Sequence, residues 1–388
     1  MEKPIKSEAQ HYIGIDVSKL TLDISIYRRS LFVAHYQICN EPEAIRNFIG
    51  EARATHAVVP RKTVFGMEQT GLYGRHLLDC LSRMDTRIVV EDPAHLKKSM
   101  GTVRGKTDKV DSKRIATYLF KNRDSLVFWN ARRPILDELA SLCTLRDRLV
   151  SIEHALRTPL KESKKFIAEA AAATLHDACM HTIAALGSDL KKLENYTEAL
   201  WKSDRQLNTL MELLTSVPGV GPITALRIVI STNEFLRIND PRKFACYCGV
   251  APFPHNSGSS IRGSTRISPI ANKKLKSLIH SCAVSAKRFV PEITAYYERK
   301  TAEGKHKMSV MNAIRFKIIA RIFACVNQQR RYQSAYVPVG AGIAKAVLDD
   351  LNSCSSFQQK PIAQKIRATS LQTMPGKRKL MNKSQLSQ

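Results

Sequence analysis

Asp16 lies in the run GIDVSK, an ionisable residue among Ile and Val in strand-like sequence. Such a group costs desolvation energy unless it is paired or metal-bound. Glu68 follows a second strand-like run in FGMEQTGLYG, and Asp108 and Asp111 stand three apart in GKTDKVDSKRIA. If that segment is helical, both acids project from one face. Two strand-borne acids and a helical DxxD can converge at a sheet edge and hold two Mg²⁺ ions about 3.5–4 Å apart, a clamp on the attacking and leaving oxygens of a phosphodiester. Hard oxygen ligands suit Mg²⁺ or Mn²⁺ and not zinc. Singly, each acid also has a structural explanation: a turn or cap for Asp16, an N-cap for Asp108, a salt bridge with nearby lysines for Asp111. Arg104, Lys106, Lys109, Lys113 and Arg114 surround the DxxD, as a site facing a phosphate backbone requires.

A second group lies in GVAPFPHNSGSSIRGSTRISPIANKKLKSLI, where Ser257, Ser259, Ser260, Ser264 and Ser268 stand among Gly and Pro before a Lys-rich helical run. Such a segment reads either as a plain polar loop or as the seat of a serine nucleophile. In the second reading Arg262, Arg266, Lys273 and Lys274 neutralise the phosphoryl group, and His255 is base or bystander. Upstream, LLTSVPGVGPITALRIVI places Gly219 and Gly221 in a turn between helical flanks. This reads as a helix-hairpin-helix whose amides approach a phosphate, or as an ordinary turn between helices.

The elements that must carry these residues follow from periodicity. Residues 11–38 read as consecutive strands with a turn at Arg28–Ser30; 40–54 as a helix; VVPRKTVFGME as a strand; Leu72–Met84 as an amphipathic helix; TRIVVED as a strand; 108–120 as a helix. A strand hairpin followed by alternating strands and helices resembles an RNase H-like layout, an α/β N-terminal domain expected over 10–130. From 134 to 215 the pattern changes to long helices. One stripe runs through Leu136, Leu139, Leu142, Leu145, Leu149, Ile152 and Leu156, a second through Leu186, Leu190, Leu193, Leu200, Leu207, Leu210 and Leu214. They predict a helical hairpin or an intermolecular coiled coil over 131–205. A mainly α C-terminal domain over 206–335 and a polar, disordered tail over 352–388 complete the expected organisation.

The 388 residues include 61 Lys or Arg and 34 Asp or Glu, a net charge of +27. The excess is concentrated: residues 241–340 hold 18 basic and 3 acidic side chains. A basic surface of that density in folded sequence collects a polyanion by counterion release, and nucleic acid is the partner it implies. No stretch has the ~18 uninterrupted apolar residues of a membrane span, so a cytosolic protein with no membrane partner is expected. The nine cysteines are scattered without a CxxC pair, which supports neither a disulfide framework nor a zinc site.

The ordered set GIDVSK, EQTGLYG, KTDKVDSKRIA, PGVGPITA and GVAPFPHNSG, spread over roughly 12–335, resembles the DEDD transposases of bacterial insertion sequences, the group that includes the Piv invertase and the RNA-guided bridge recombinases. The resemblance implies a RuvC-like RNase H fold for the N-terminal domain, Mg²⁺ ligation by Asp16, Glu68, Asp108 and Asp111, and a serine nucleophile at Ser257. It implies cut-and-join recombination of donor and target DNA through a covalent 5′-phosphoserine, an element-encoded guide RNA, and a homo-oligomer, dimer or tetramer, whose subunits share the active site. Ser112 stands where the family commonly has Ala, and Asn256 where a second serine is frequent. A junction-resolving nuclease that uses the acids without a covalent intermediate, and an inactive nucleic-acid-binding remnant, are the competing readings.

Overall fold

Alternation of apolar and polar residues in the first forty positions produces two β-hairpins in a row: β1 (His11–Val17), β2 (Thr21–Arg28) and β3 (Leu31–Cys39). The computed structural model describes residues 9–99, 107–257, 261–268 and 270–334, and through Tyr332 the chain forms one compact unit. Helix α1 (Pro42–His56) leads to β4 (Thr63–Glu68), α2 (Arg75–Ser82) and β5 (Arg87–Glu91). The five strands form one sheet in the order β3-β2-β1-β4-β5. The β1–β2 and β2–β3 pairs are antiparallel, and β1–β4 and β4–β5 are parallel. This mixed α/β sheet is the RNase H-like arrangement expected from the sequence. Two boundaries differ. Pro60, which cannot donate to a ladder, stands in a 3-10 turn, so β4 starts at Thr63; another 3-10 turn, Gly71–Gly74, precedes α2.

The sheet has two unlike faces. Ile13, Ile15, Leu22, Ile24, Ile26 and Phe65 point to one side, where Ile45, Phe48 and Ile49 of α1 and Leu77 and Leu81 of α2 cover them. The other face carries Tyr12, Val64 and Val89 and is covered by α3 (Pro93–Ser99) and α4 (Asp108–Lys121), through Leu96, Ile115, Tyr118 and Leu119. Gly14 and Gly66 are register partners on this face. A Cβ on Gly14 would lie 2.2 Å from the Ser112 carbonyl oxygen and 2.3 Å from the Ala116 nitrogen, and one on Gly66 would lie 2.6 Å from Leu119. The two glycines form a trough in which α4 lies against bare backbone.

The chain continues into α5 (Pro134–Ser163) and α6 (Glu169–Ser203), which pack against each other. Tyr196 bonds Glu138 and Arg146 pairs with Glu194, so the two helices run antiparallel. From 172 to 200 the half-buried or buried positions of α6, namely 172, 176, 179, 183, 186, 190, 193, 197 and 200, repeat at alternating steps of four and three. The stripe expected on α5 is only partly realised, because Leu145 and Ile152 are 46% and 49% exposed. Nine residues after Leu136 is two and a half helical turns, which puts Leu145 on the opposite side.

The helices α7 (Arg205–Thr215), α8 (Pro222–Thr232), α9 (Pro241–Tyr247), α10 (Lys273–Phe289), α11 (Pro291–Ala302) and α12 (Lys307–Asn327) enclose the larger core. Leu136, Leu139 and Cys143 of α5 belong to it, so packing does not follow the boundary expected between 205 and 206. After α8 the chain reverses through three consecutive left-handed residues, Asn233, Glu234 and Phe235. Arg133 secures this segment by bonding both the buried Glu234 and Asp204. The hairpin β6 (Phe253–Ser257) and β7 (Ile261–Arg266) projects between α9 and α10 in sequence. The expected tail over 352–388 lies outside the described residues.

The trough yields a stability prediction. Gly14→Ala forces a methyl into two backbone atoms that cannot rotate away and is expected to destabilise the fold by roughly 1–3 kcal/mol. Gly50→Ala, in α1 with nothing within 4 Å of the added carbon, is expected to stabilise it by about 0.4–1 kcal/mol. Chemical denaturation of the two variants checks the pair, and similar effects from both would show that α4 does not rest on Gly14.

Candidate active site

The face covered by α4 is also the face that carries the acids. Asp16 and Asp23 are direct cross-strand partners on β1 and β2, Asp23 stands opposite Gln37 of β3, and Glu68 and Glu91 are partners at the ends of β4 and β5. One row of polar residues therefore crosses the sheet: Gln37, Asp23, Asp16, Glu68, Glu91. Above it, the stripe of α4 that buries Ser112, Ile115, Ala116 and Leu119 continues toward the N-terminus into Asp111 and Asp108. Thr107 caps the helix by accepting from the Val110 N–H, and both aspartates lie in the first turn, where the helix dipole favours negative charge.

Electrostatics shows which residues gather. The half-buried Asp16 carboxyl is pushed up to about 6, by burial first and then by Asp108, Asp111, Glu68 and Asp23. The four acids expected from the sequence thus act on one another across the β1–α4 contact, joined by a fifth, Asp23. Among the described residues no three His, Cys, Asp or Glu side chains stand as a finished metal-binding group, and Asp111 accepts from Arg114 Nη1 at 2.6 Å. A half-buried carboxyl raised by four like charges and bearing only hard oxygen donors fits a divalent cation of the Mg²⁺ or Mn²⁺ kind. Asp16, Glu68, Asp108 and Asp111 are the side chains that could supply oxygen ligands to such a cation.

The acids outside that quartet have their own partners. Asp23 bonds His35 Nε2 and Gln37 Nε2, both at 3.1 Å. Glu91 accepts from the Tyr118 hydroxyl at 2.7 Å and meets His95 Nδ1 at 2.9 Å. Ser25 Oγ lies 2.8 Å from Ser112 Oγ and 3.4 Å from His35 Nδ1, a buried polar chain linking β2, β3 and α4. The His35 pKa is lowered by burial, against the pull of Asp23, with Lys109 and Lys113 also lowering it. Asp23, Glu91 and His35 belong to no motif of the sequence, and Ser112 stands out there only as a departure from the family's Ala. The signal for Asp23 was its position seven residues after Asp16 across a tight turn, which makes the two cross-strand neighbours.

The basic residues divide. Lys109 and Lys113 lie on α4 beside the acids, and Lys113 Nζ stands 4.1 Å above the Phe32 ring. A cavity of about 240 Å³ between α3 and α4 is lined by Lys113, Arg114, Lys121, Ser99 and Tyr118, a basic recess next to the DxxD. Arg104 and Lys106 lie outside the described residues. Lys273 and Lys274 are both exposed, and Lys274 pairs with Asp147 of α5 at 3.0 Å. Ser257 is the last residue of β6, paired with Ile261, so the backbone puts it at the hairpin tip; its side chain, and those of Arg262 and Arg266 on β7, lie outside the description.

The glycine turn between α7 and α8 has a packing reason. Gly219, at φ +90°, would place a Cβ 2.6 Å from the Cys282 carbonyl oxygen, so it is required for close approach to α10. Gly221 caps α8, is exposed, and has open space around it, leaving the first amides of α8 without a side-chain cap. Of the two, only Gly221 stands where a phosphate could approach.

Comparison with known proteins adds two family matches. Residues 13–161 match a transposase model of the DEDD type associated with IS110, and residues 211–298 match the Transposase IS116/IS110/IS902 family. The first span contains the whole acid row, the second the β6–β7 hairpin. The chain is 26% identical over 331 residues to the pilin gene-inverting protein of Moraxella bovis, covering 83% of this chain and 97% of that protein. It is 28% identical over 168 residues to an uncharacterized 43.6 kDa protein of insertion element IS110 from Streptomyces coelicolor, 42% of this chain and 40% of that protein.

The field at Asp16 sets an expectation for Asp16→Asn. Calorimetric titration should show Mn²⁺ affinity reduced by at least about tenfold. In EDTA at pH 7 the same variant should melt at an equal or higher temperature, since it removes a charge held among like charges. A variant that binds Mn²⁺ as the parent does would remove Asp16 from the metal site.

Proposed function

This chain is a DNA transposase carrying the two domains of the IS110/IS116 family, and on that footing we propose that it cuts and rejoins DNA through a serine–DNA intermediate supported by a Mg²⁺-holding acid site. The observation that carries the reading is the convergence of Asp108, Asp111 and Glu68 on the half-buried Asp16, whose pKa is raised to about 6 by burial first and by these like charges second. Asp16, Glu68, Asp108 and Asp111 are assigned as Mg²⁺ ligands, with Mn²⁺ as a substitute. The cation, when bound, offsets the charge that develops on the leaving 3′-oxygen.

Ser257 is assigned as the nucleophile. Its Oγ forms a bond to phosphorus as the P–O3′ bond breaks, and the serine gives up one proton while the freed 3′-oxygen gains one. The phosphoserine link conserves the phosphoester, so attack by a 3′-hydroxyl from another DNA end reverses the step and joins the strands. A hairpin tip is a suitable carrier, because it can reach a phosphate that the sheet cannot. Lys109 and Lys113 beside the acids, and Arg262, Arg266 and Lys273 around the hairpin, are assigned to the DNA backbone, as is the first turn of α8 after Gly221. Lys274 is assigned to the same set, its ammonium remaining largely exposed beside Asp147.

The remaining parts of the proposal are the partners. The density of positive charge over 241–340 suits a protein that holds both DNA and an element-encoded RNA, with sequence choice delegated to base pairing. The α5–α6 hairpin keeps large apolar side chains exposed, including Leu145, Ile152 and Phe166, which supports its use in subunit assembly. No described helix is long and apolar enough to cross a membrane.

The decisive experiment incubates the protein with its co-purifying RNA, Mg²⁺ and labelled donor-junction DNA, denatures the mixture, and looks for DNA on the protein band. A Mg²⁺-dependent adduct is expected, reduced on the order of 10⁴-fold or more by Ser257→Ala and likewise by Asp16→Ala. Cleaved DNA without an adduct, unchanged by Ser257→Ala, would leave the acids working alone as a junction-resolving nuclease.

A further inference from the structure

Arg315 lies in the middle of α12, 5% exposed, among Ile314, Ile318 and Ile319 in the C-terminal core. Among the described residues it has no carboxylate partner. Its Nη1 donates to Asn312 Oδ1 at 3.2 Å, its Nη2 bonds His280 Nδ1 at 2.8 Å, and its buried Nε has no hydrogen-bond partner. An arginine can only donate, so the His280 Nδ1 accepts and the imidazole is neutral on that side. Burial and the neighbouring guanidinium both lower the His280 pKa, in keeping with that assignment. Asn312 passes the contact on: its Nδ2 donates to the Val250 carbonyl at 2.6 Å.

Val250 is where the β6–β7 hairpin is rooted. Only Ala251 and Pro252 separate it from β6, whose last residue is Ser257. The returning chain meets the same point, since a Cβ on Gly249, at φ +68°, would lie 2.7 Å from Ala271 and 3.2 Å from Ile267. The Asn272 N–H donates to the Tyr247 carbonyl at 2.9 Å. Both legs of the hairpin are thus clamped over one spot, and the residues beneath it are Asn312, Arg315 and His280.

A charge taken out of water without a counter-ion costs stability, and an apolar side chain of similar length would fill the space more favourably. What arginine adds is two donors in a fixed fork, one turning Asn312 toward Val250 and one tying α12 to α10 through His280. We propose that Arg315 is a positioning residue, holding the root of the serine hairpin through Asn312 and so fixing where Ser257 meets the DNA phosphate. The proposal rests on the assignment of Ser257 as nucleophile. Arg315 lies beyond the segment 211–298 that matches the family model.

The test uses the full chain with Arg315→Met, which keeps the volume and removes the charge and the fork, and Asn312→Leu, which leaves the arginine and breaks the link. Amide exchange by mass spectrometry is expected to quicken by at least about tenfold in peptides covering 250–266 while α10 and α12 stay protected. The melting temperature of Arg315→Met should be unchanged or higher. Formation of the protein–DNA adduct should fall about 10²-fold, the scale of a misplacement near 1 Å, with DNA affinity within about twofold. Unchanged exchange in the hairpin, or faster exchange spread through α10 and α12 with a lower melting temperature in both variants, would overturn the proposal. If the hairpin loosens as expected but Ser257→Ala still forms the full adduct, the serine assignment fails and the bracing role of Arg315 stands.

Discussion

The contact of α4 with β1 at Gly14 is what the acid site depends on. A helix normally rests on a sheet through side chains on both partners, which holds the two backbones well apart. Here the Ser112 carbonyl and the Ala116 amide occupy the space where a Cβ would be, so helix and strand meet backbone to backbone. Gly66, the register partner of Gly14 on β4, continues the trough beneath Leu119. That approach brings the first turn of α4, with Asp108 and Asp111, over the strand that holds Asp16. Any side chain at position 14 would lift the helix and separate the helical acids from the strand-borne ones.

Bringing like charges together is unfavourable, and the surrounding structure shows how it is tolerated. Ile115, Tyr118 and Leu119 of α4 bury apolar surface against Tyr12, Val64 and Val89, at about 25 cal/mol per Å² of apolar area. The outer members of the acid row are held by neutral or cationic neighbours: Asp23 by His35 and Gln37, Glu91 by Tyr118 and His95, Asp111 by Arg114. The pKa of the Asp16 carboxyl, at the centre, is raised by burial and by the like charges around it. Structural partners therefore satisfy the flanks of the row, and the repulsion is concentrated at its centre.

Much of this was legible in the sequence because it rests on local rules. Alternation in residues 11–38 fixes the first two hairpins, and the three-residue step of Asp108 and Asp111 fixes their shared face, whereas the close approach at Gly14 and Gly66 emerges only with α4 in place. What stayed hidden depends on contacts distant in the chain. The Ser25–Ser112 bond joins residues 87 apart, and the role of Gly219 is visible only once Cys282 of α10 is seen against it. Arg315 carried no motif at all, since a basic residue in a basic third gives no sign that it is buried. Leucine counting misled on α5, where a strict three-residue step drifts round the helix and leaves Leu145 in solvent.

The positive charge of the C-terminal third is held in place more firmly than its abundance would suggest. Lys287 Nζ lies 3.8 Å above the Tyr297 ring and Lys317 Nζ 3.9 Å above Tyr296, so both ammonium groups are positioned by aromatic faces on α11. Arg321 is held by Glu292, and Lys274 with Arg227 by Asp147, which anchors α8 and α10 to α5. Fixing these side chains in the free protein lowers the ordering cost when a polyanion binds. Cations paired with carboxylates join helices, Lys287 and Lys317 rest on tyrosine rings, and Arg321 does both, lying 5.0 Å from the Tyr332 ring centroid. The count of basic residues in this half therefore says less about its surface than the placement of the ring-held lysines, Lys287 on α10 and Lys317 on α12, does.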